Sequence, residues 1–561
     1  MRSGARSNSR PARAAALLVC VSVCALHCAA QSFEDVTHAS GIRFVTTDGA
    51  SGRHLLPEFL GRGVALIDYD QDGDLDIYFP NGRNLLDTDA IDHPNALYRN
   101  DGEWQFTDVT EPAGVGHTGY GLGCAVGDID NDGWPDLYVT NLGANVLYRN
   151  LGDGAFEDVT HEAGAEAPGF STSCGFADID NDGWLDLYIA RYAEYDVASD
   201  TPCVRDSIGV YCHPHVYRGA ADAVLRNRGD GRFEDVSASS GVASLLPSHG
   251  LGVVIGDVDD DGDVDIYVAN DLDPNFLLLN EGDGTFVENA MLAGVAMSAV
   301  GKEEAGMGVA MADYDNDGDL DIAVTNFQSE TYTLYRNDGD AIFTDITAVS
   351  RVGEATYAPL GWGVGLHDFD NDGWRDLFFA NGHTQDHIQT FEPEVTYAQR
   401  NLLLMNAGDG TFVNGTDEAG PPFAERHPSR GAAFGDLDGD GDVDVVLTSR
   451  NGAPQLLRNA ASSGRAWTRL VLRGVASNPS AIGARVEVSA GGRRHYGHVT
   501  GGGSFLSQSD LALHLGLGEA AGVDSVTVTW PSGLAETFRD LPVRRPIAVT
   551  EGQGASVVAG E

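Results

Sequence analysis

The chain has 561 residues, with 84 Asp and Glu against 34 Lys and Arg, a formal net charge of −50. That balance argues against nucleic-acid binding and against docking on an anionic membrane through a polybasic patch, because both need a basic surface. Apolar content of 42% is ordinary for a globular protein, so the acidity does not require disorder, and the length predicts about three or four domains.

Residues 1–30 contain Arg2, Arg6, Arg10 and Arg13 and no acid, then an apolar run from Ala14 to Leu26 and the small residues Cys28, Ala29 and Ala30. A positive start, a short apolar core and small residues before a cut are the pattern of an export signal. The expected location is secreted, periplasmic or cell surface, with no integral membrane segment after signal removal. Beyond the signal remain Cys124, Cys174, Cys203 and Cys212. Cys203 and Cys212 share one loop and could form a disulfide in an oxidising compartment. Cys124 and Cys174 each sit four residues before a repeated Asp and read as small core residues.

The phrase D-x-D-x-D-G-x-x-D occurs seven times, starting at Asp68, Asp128, Asp178, Asp257, Asp313, Asp368 and Asp436. A second phrase follows each, as in Leu97-Tyr-Arg-Asn100, Leu147-Tyr-Arg-Asn150, Leu334-Tyr-Arg-Asn337 and Gln455-Leu-Leu-Arg-Asn459. A third, resembling F-x-D-V-T, begins at Phe33, Phe106, Phe156, Phe233, Phe286, Phe343 and Phe412. With the Gly-rich apolar run before each Asp phrase, every unit reads as four strands, the last two joined by turns such as Gly152-Asp-Gly154. Seven four-stranded units predict an all-β chain folded as a seven-bladed β-propeller over residues 31–461. Phe33 has no partner phrase before it and Asn459 has no Phe strand after it, so these two orphans are expected to pair and close the ring.

Alternating carboxylates followed by Gly suit a hard cation with oxygen ligands, and up to seven structural Ca²⁺ are expected. In the first loop the ligands are Asp68, Asp70, Asp72 and Asp76, with a backbone carbonyl at Asp74. The corresponding sets are Asp128, Asp130, Asp132 and Asp136; Asp178, Asp180, Asp182 and Asp186; and Asp257, Asp259, Asp261 and Asp265. The last three are Asp313, Asp315, Asp317 and Asp321; Asp368, Asp370, Asp372 and Asp376; and Asp436, Asp438, Asp440 and Asp444. An EF-hand needs Glu at loop position 12 and then a helix, whereas these loops carry Phe79, Val139, Ile189, Val268, Val324, Phe379 and Leu447 there. Zinc is disfavoured in these loops because no His or Cys converges on them in sequence.

These loops between strands, preceded by Gly-apolar runs, resemble FG-GAP/VCBS repeats, which form the calcium-bearing propeller of integrin α subunits. Farther along, Ala481 to Val486, Gly501-Gly-Gly-Ser-Phe-Leu-Ser-Gln508, His514 to Gly518 and Val528-Thr-Trp-Pro-Ser-Gly533 resemble an ASPIC/UnbV domain. The combination is similar to the cartilage acidic protein family and its bacterial relatives. Tyr211-Cys-His-Pro214 resembles a Cys-Gly-Pro element of such proteins, with His213 in place of the Gly. The resemblance implies an integrin-α-like propeller with a small C-terminal domain. Residues 465–551 alternate like strands and read as an antiparallel β-domain docked on the propeller, followed by a loose tail over 552–561.

No G-x-S-x-G elbow in a strand-to-helix context and no nucleotide-binding fingerprint is present, so no catalytic residue is assigned. His383, Asp386 and His387 in one loop, and His213 and His215 beside Cys212, could form a second metal or acid–base site or simply pack as polar loops. Trp530 could stack on a sugar or pack beneath a turn. The insertion from Arg191 to Asp222 and the loop from Asn381 to Arg400 are the expected ligand surface. The leading expectation is an exported, calcium-binding, non-catalytic scaffold for an extracellular protein or glycan ligand. The alternative is an extracellular polysaccharide lyase or hydrolase on a calcium-stabilised propeller.

Overall fold

Every D-x-D-x-D-G-x-x-D phrase forms the turn between an apolar, Gly-rich strand and a second strand that begins at the phrase's last Asp. The computed structural model describes residues 1, 4, 32–87, 93–461 and 464–558. The export segment expected over residues 1–30 lies, but for residues 1 and 4, outside them. In the fourth unit, Gly250–Gly256, Asp265–Asn270, Phe276–Asn280 and Phe286–Glu288 pair antiparallel in that order. Val254 lies opposite Tyr267, Tyr267 opposite Leu277, and Leu278 opposite Glu288. The same four-strand order recurs in units that begin at Ala65–Ile67, Gly121–Gly127, Gly169–Ala177, Val309–Ala312, Gly361–His367 and Ser429–Gly435. The innermost strands adjoin one another in chain order, and Ser429–Gly435 returns to Ala65–Ile67, so the all-β chain closes as a propeller.

Burial explains why the strands differ in composition. Gly121–Gly127 and Gly250–Gly256 are buried along their whole length, because neighbouring sheets cover both faces, and they read as continuous apolar runs. The outermost strands are three residues long, and most bury one Phe while exposing the next two residues, as in Phe33–Asp35 and Phe156–Asp158. Such short, acidic edges are poor templates for pairing with another chain. Apolar clusters sit between successive units: Val126, Val139 and Phe156 pack with Ile67 and Leu97, while Val253 and Ile266 pack with Ile179 and Val224. Cys124 and Cys174 are buried and unpaired.

The seventh unit is composite. Phe33–Asp35 pairs antiparallel with Gln455–Asn459, with Phe33 opposite Asn459 and Asp35 opposite Leu457. The two orphan phrases thus meet, and Phe33 is fully buried among Phe369, Phe423 and Leu457.

A ring of asparagines fastens each unit to the one before it. Asn100, Asn150, Asn227, Asn280, Asn337, Asn406 and Asn459 each donate from Nδ2 to a carbonyl of the preceding unit's Asp loop, at 2.8–2.9 Å. The acceptors are the residues just after the first Asp: Leu437, Tyr69, Ile129, Ile179, Val258, Tyr314 and Phe369 in that order. Asn100 reaches back to the seventh unit, so the ring of bonds closes on itself.

The C-terminal region is two four-stranded sheets packed face to face. Leu513–Gly518, Ala466–Arg473, Pro546–Thr550 and Gly554–Val557 form one; Arg493–His498, Arg485–Ala490, Val523–Thr529 and Ala535–Leu541 form the other. Alternating side chains such as Leu470, Val486, Val488, Val526 and Ile547 fill the space between them. Two expectations are corrected here. Ala466–Arg473 runs parallel to Pro546–Thr550, so the domain is not wholly antiparallel. The segment expected as a loose tail supplies the edge strand Gly554–Val557, whose Ala555 packs on the same core.

The domain does more than dock: its Gly-rich phrase enters the propeller's centre. Gly501–Gly502 pairs with Gly250–Gly256, and Gly503 donates to Val253 at 2.7 Å. Farther along, the Ser504 carbonyl accepts from Val309, Ser504 Oγ from Val364, the Leu506 carbonyl from Cys124 and the Gln508 carbonyl from Leu66. Leu506 donates to Ser173 Oγ and Asp510 donates to the Phe434 carbonyl. One strap therefore bonds to the innermost strand of every unit. Phe505 and Leu506 are fully buried against Leu122, Phe170, Leu251, Met307 and Trp362. The first-strand glycines make room: a Cβ on Gly63 would collide with the Leu506 carbonyl, and one on Gly308 with the Trp362 carbonyl.

Deleting residues 32–37 leaves the seventh sheet one strand short, and the variant is expected to lose cooperative thermal unfolding; wild-type melting would contradict the closure. Asn227→Ala strands buried carbonyls of Ile129 and Leu185. It should lower unfolding free energy by about 1–3 kcal/mol, read from urea denaturation.

Candidate metal centres

The Asp loops owe their shape to their own carboxylates. The first Asp of the loop accepts from the backbone of the Gly five residues on, at 2.8 Å from Asp128 to Gly133 and 2.7 Å from Asp368 to Gly373. The third Asp of the phrase caps the next turn, as Asp132 accepts from Trp134 and Asp317 from Asp319. Two residues in each loop have left-handed backbone. One is the conserved-in-phrase Gly, such as Gly73 with φ 99°; the other is the fourth residue, such as Asn131 with φ 57° and Asn316 with φ 59°. The recurrence of Asn, Asp, Gly or Gln at that fourth position is a sequence signal for this turn that the carboxylate pattern alone does not use. Its side chain also reaches the next loop, as Asn131 donates to the Gly183 carbonyl and Asn371 to that of Gly441.

The last Asp of each phrase is buried and accepts two backbone N–H bonds. One comes from the residue after the first Asp, the other from the Asn of the following strand; all fourteen are 2.7–3.1 Å long. That Asn is the residue whose side chain clasps the neighbouring unit.

The first, second and last acids of a phrase converge. One carboxylate oxygen from each of Asp68, Asp70 and Asp76 lies within 4.8 Å of the others, and the same holds for Asp128, Asp130 and Asp136 and for Asp178, Asp180 and Asp186. Asp72, Asp132 and Asp182 cap the turn and lie beside these acids, their charge helping to raise the pKa values of the first two. Oδ1 of Asp68, Asp70, Asp130, Asp180, Asp257, Asp259, Asp313, Asp315 and Asp436 is buried without a hydrogen-bond partner. All are first or second acids of their phrases. Orphaned anionic oxygens that point together are what a hard cation would satisfy, so the residues fit calcium.

The loops are not equivalent. Arg465 pairs with Asp370 at 2.7 Å, and Asp438 is held by Arg458 at 3.1 Å and by the Trp104 indole N–H at 2.8 Å. A cation at the sixth or seventh loop would therefore meet a guanidinium already in place.

Burial is the main cause of raised carboxylate pKa values, reinforced by the neighbouring acids. Asp76 is pushed up to about 9 and Asp186 to about 8. Asp257 rises to about 7 and Asp68, Asp128, Asp178 and Asp313 to about 6. Asp136, Asp265, Asp321 and Asp444 also lie well above the ordinary range.

At the other end of the strands the two expected ligand loops meet. Cys203 and Cys212 are joined by a disulfide that ties strand Cys203–Arg205 to the segment after Ile208–Val210. Gln385 accepts from the Tyr211 N–H and donates to its carbonyl, both at 2.9 Å. Arg205 lies 4.6 Å over the Phe391 ring and 3.4 Å from Glu392. Beneath them a buried Arg450–Asp48 pair supports Tyr211, whose ring the guanidinium overlies at 4.8 Å. His383, Asp386 and His387 are not brought together. His383 is buried against Phe327 and accepts from the Gln385 N–H, while Asp386 and His387 face His54. Trp530 is 1% exposed and donates to Glu536, which removes it as a sugar platform.

Comparison with known proteins agrees with this architecture. The FG-GAP-like repeat family matches residues 68–139, 128–189, 215–268, 257–324, 313–379 and 368–447, and the ASPIC and UnbV family matches residues 474–556. The chain is similar to cartilage acidic protein 1 of Mus musculus, 29% identical over 313 residues that cover 55% of this chain and 45% of that protein. The Homo sapiens protein of that name is also 29% identical, over 55% of this chain and 44% of its own length. The chain thus spans about half the length of the curated relatives it matches. Among solved structures, an Agrocybe aegerita lectin described as recognising non-reducing terminal N-acetylglucosamine aligns with TM-score 0.38 and 15% identity. That alignment covers 69% of this chain and 85% of the lectin.

An acid whose folded pKa is raised contributes stability below its unfolded pKa of about 3.9, and that contribution is lost as pH rises through the folded value. The chelated protein should therefore melt at a higher temperature at pH 5 than at pH 8. Added calcium should raise the melting temperature more at pH 8 and release protons on binding, read by scanning calorimetry and by titration in weak buffer.

Proposed function

The chain belongs to the FG-GAP-like repeat family and carries an ASPIC and UnbV domain, and on that premise we propose that it is an exported, extracellular, non-catalytic binding scaffold. Calcium in the Asp loops would hold the ring, and the face built from residues 191–222 and 381–400 would meet a protein or glycan ligand. The observation that carries this reading is the division of labour between the two faces. The Asp loops lie under the C-terminal domain, while the opposite face presents a disulfide-tied insertion locked to a second long loop. Rigid loops on a rigid ring are suited to recognition. Phe505 and Leu506 plug the channel at this face, while behind them a cavity of about 120 Å³ lined by His367, His498, His514, Asp436 and Asp510 lies between the innermost strands and the C-terminal domain. The disulfide and the Arg-rich, acid-free start both suit an oxidising compartment outside the cytoplasm. Within the ring, the first five loops would bind calcium more tightly than the two whose acids already hold Arg465 and Arg458.

A glycan array and an extracellular protein array, each with and without calcium, test the reading alongside a polysaccharide-degradation screen. Binding lost in Arg205→Glu but retained in an Asp loop variant kept in calcium would support it. Polysaccharide cleavage by the purified chain would overturn it in favour of the enzyme. Reduction of Cys203–Cys212 should make residues 191–222 cleavable by added protease while the rest of the ring resists, read by mass spectrometry.

A further inference from the structure

At the end of the fourth unit opposite its Asp loop, histidines and a carboxylate from three chain segments converge. Strands Gly250–Gly256 and Asp265–Asn270 pair with Gly250 opposite Asn270, which places His249 and Asp273 at one edge. His249 donates its backbone N–H to Asp273 Oδ2 at 3.0 Å, and its Nδ1 lies 2.7 Å from the same oxygen. The insertion brings the short turn Pro214–Val216 over this edge, with His215 Nε2 3.3 Å from Asp273 Oδ1. One ligand atom from each of His215, His249 and Asp273 lies within 4.8 Å of the others. The His213 ring stands 5.2 Å from that of His215, and His215 stands 5.6 Å from His249.

His249 is 3% exposed, yet its Nε2 has no hydrogen-bond partner. The nitrogen turned toward Asp273 is Nδ1, so a metal shared with that carboxylate would take Nδ1 in place of the present hydrogen bond. Its surroundings are firm: Tyr192 packs edge-on against the ring at 5.4 Å and donates to buried Asp271 at 2.7 Å. The disulfide at Cys212 fixes the chain one residue before His213.

We propose that His215, His249 and Asp273, with His213 as a fourth ligand or its neighbour, form a binding site for a borderline-soft divalent metal of the zinc class. Imidazole nitrogens select zinc-class metals over calcium, and two or three nitrogens with one carboxylate oxygen match the tetrahedral sets that zinc takes. The site is chemically orthogonal to the oxygen-only Asp loops. It would also pin the 191–222 insertion to the ring, beside the disulfide. The cluster of His54, Asp386 and His387 is looser, with His54 Nε2 3.8 Å from Asp386 and the two rings 6.5 Å apart, and serves as the control.

The test uses the full chain, stripped of transition metals and kept in saturating calcium so that the Asp loops are occupied. Titration with Zn²⁺ by calorimetry should show one tight equivalent per chain, and Co²⁺ should give the visible bands of a tetrahedral site. His215 is half-exposed, its side chain at 47%, so His215→Ala should fold and melt as the parent does in calcium. It should weaken zinc binding by at least the about 10- to 100-fold that loss of even an outer partner costs, and abolish the cobalt bands. His387→Ala should leave both unchanged. Absence of tight zinc binding, an affinity unchanged by His215→Ala, or a loss in His387→Ala instead would each overturn the proposal.

Discussion

The last carboxylate of each Asp phrase is the joint on which the molecule turns. It is buried, it accepts one amide from its own loop and one from the third strand of its sheet, and that second donor is the Asn that clasps the neighbouring unit. Loop, sheet and ring are thus tied at one atom pair, seven times. Hydrogen bonds to an ionised acceptor are stronger than neutral ones, so the joint works best when the carboxylate is charged. Burial opposes that charge. A cation held by the same carboxylate and its two neighbours would resolve the conflict, which is why the metal question and the stability of the ring are one question.

A second constraint acts at the centre. Seven innermost strands converge with unpaired backbone groups, and a buried unpaired group is costly. The strap over residues 501–510 answers this by bonding to all seven, using serine hydroxyls where the backbone cannot reach. The C-terminal domain is therefore part of the propeller's core as well as its neighbour. It also covers the Asp-loop face, where Arg485 pairs with Asp260 and His514 meets Asn371.

The repeats made the four-strand units and their boundaries legible, because each phrase carries a local rule: Gly where backbones crowd, Asp and Gly at the turn, Phe at the outer strand. The pairing of Phe33 with Asn459 was also legible, since two incomplete phrases have one way to complete each other. The clasping role of Asn100, Asn227 and their counterparts was not, because its partner lies 79 to 101 residues away or, for Asn100, 337 residues along the chain. Nor was the destination of Gly501–Gln508: a Gly-Ser phrase reads as a turn until its surroundings are known. The loop of His383, Asp386 and His387 illustrates the same limit. Three ligand-type residues within five positions separate in space, while His249 and His215 approach from different segments.

By itself the sequence determined the all-β class, the sevenfold repeat, the Asp-Gly turns and the closing of the ring, because these follow from patterns within reach of one strand and one turn. Tertiary structure alone decided which carboxylate oxygens come together, which acids already pair with an arginine, that Phe505 and Leu506 enter the channel, and that histidines meet Asp273. Those outcomes depend on distances between segments far apart in the chain, and local propensity carries no information about such distances.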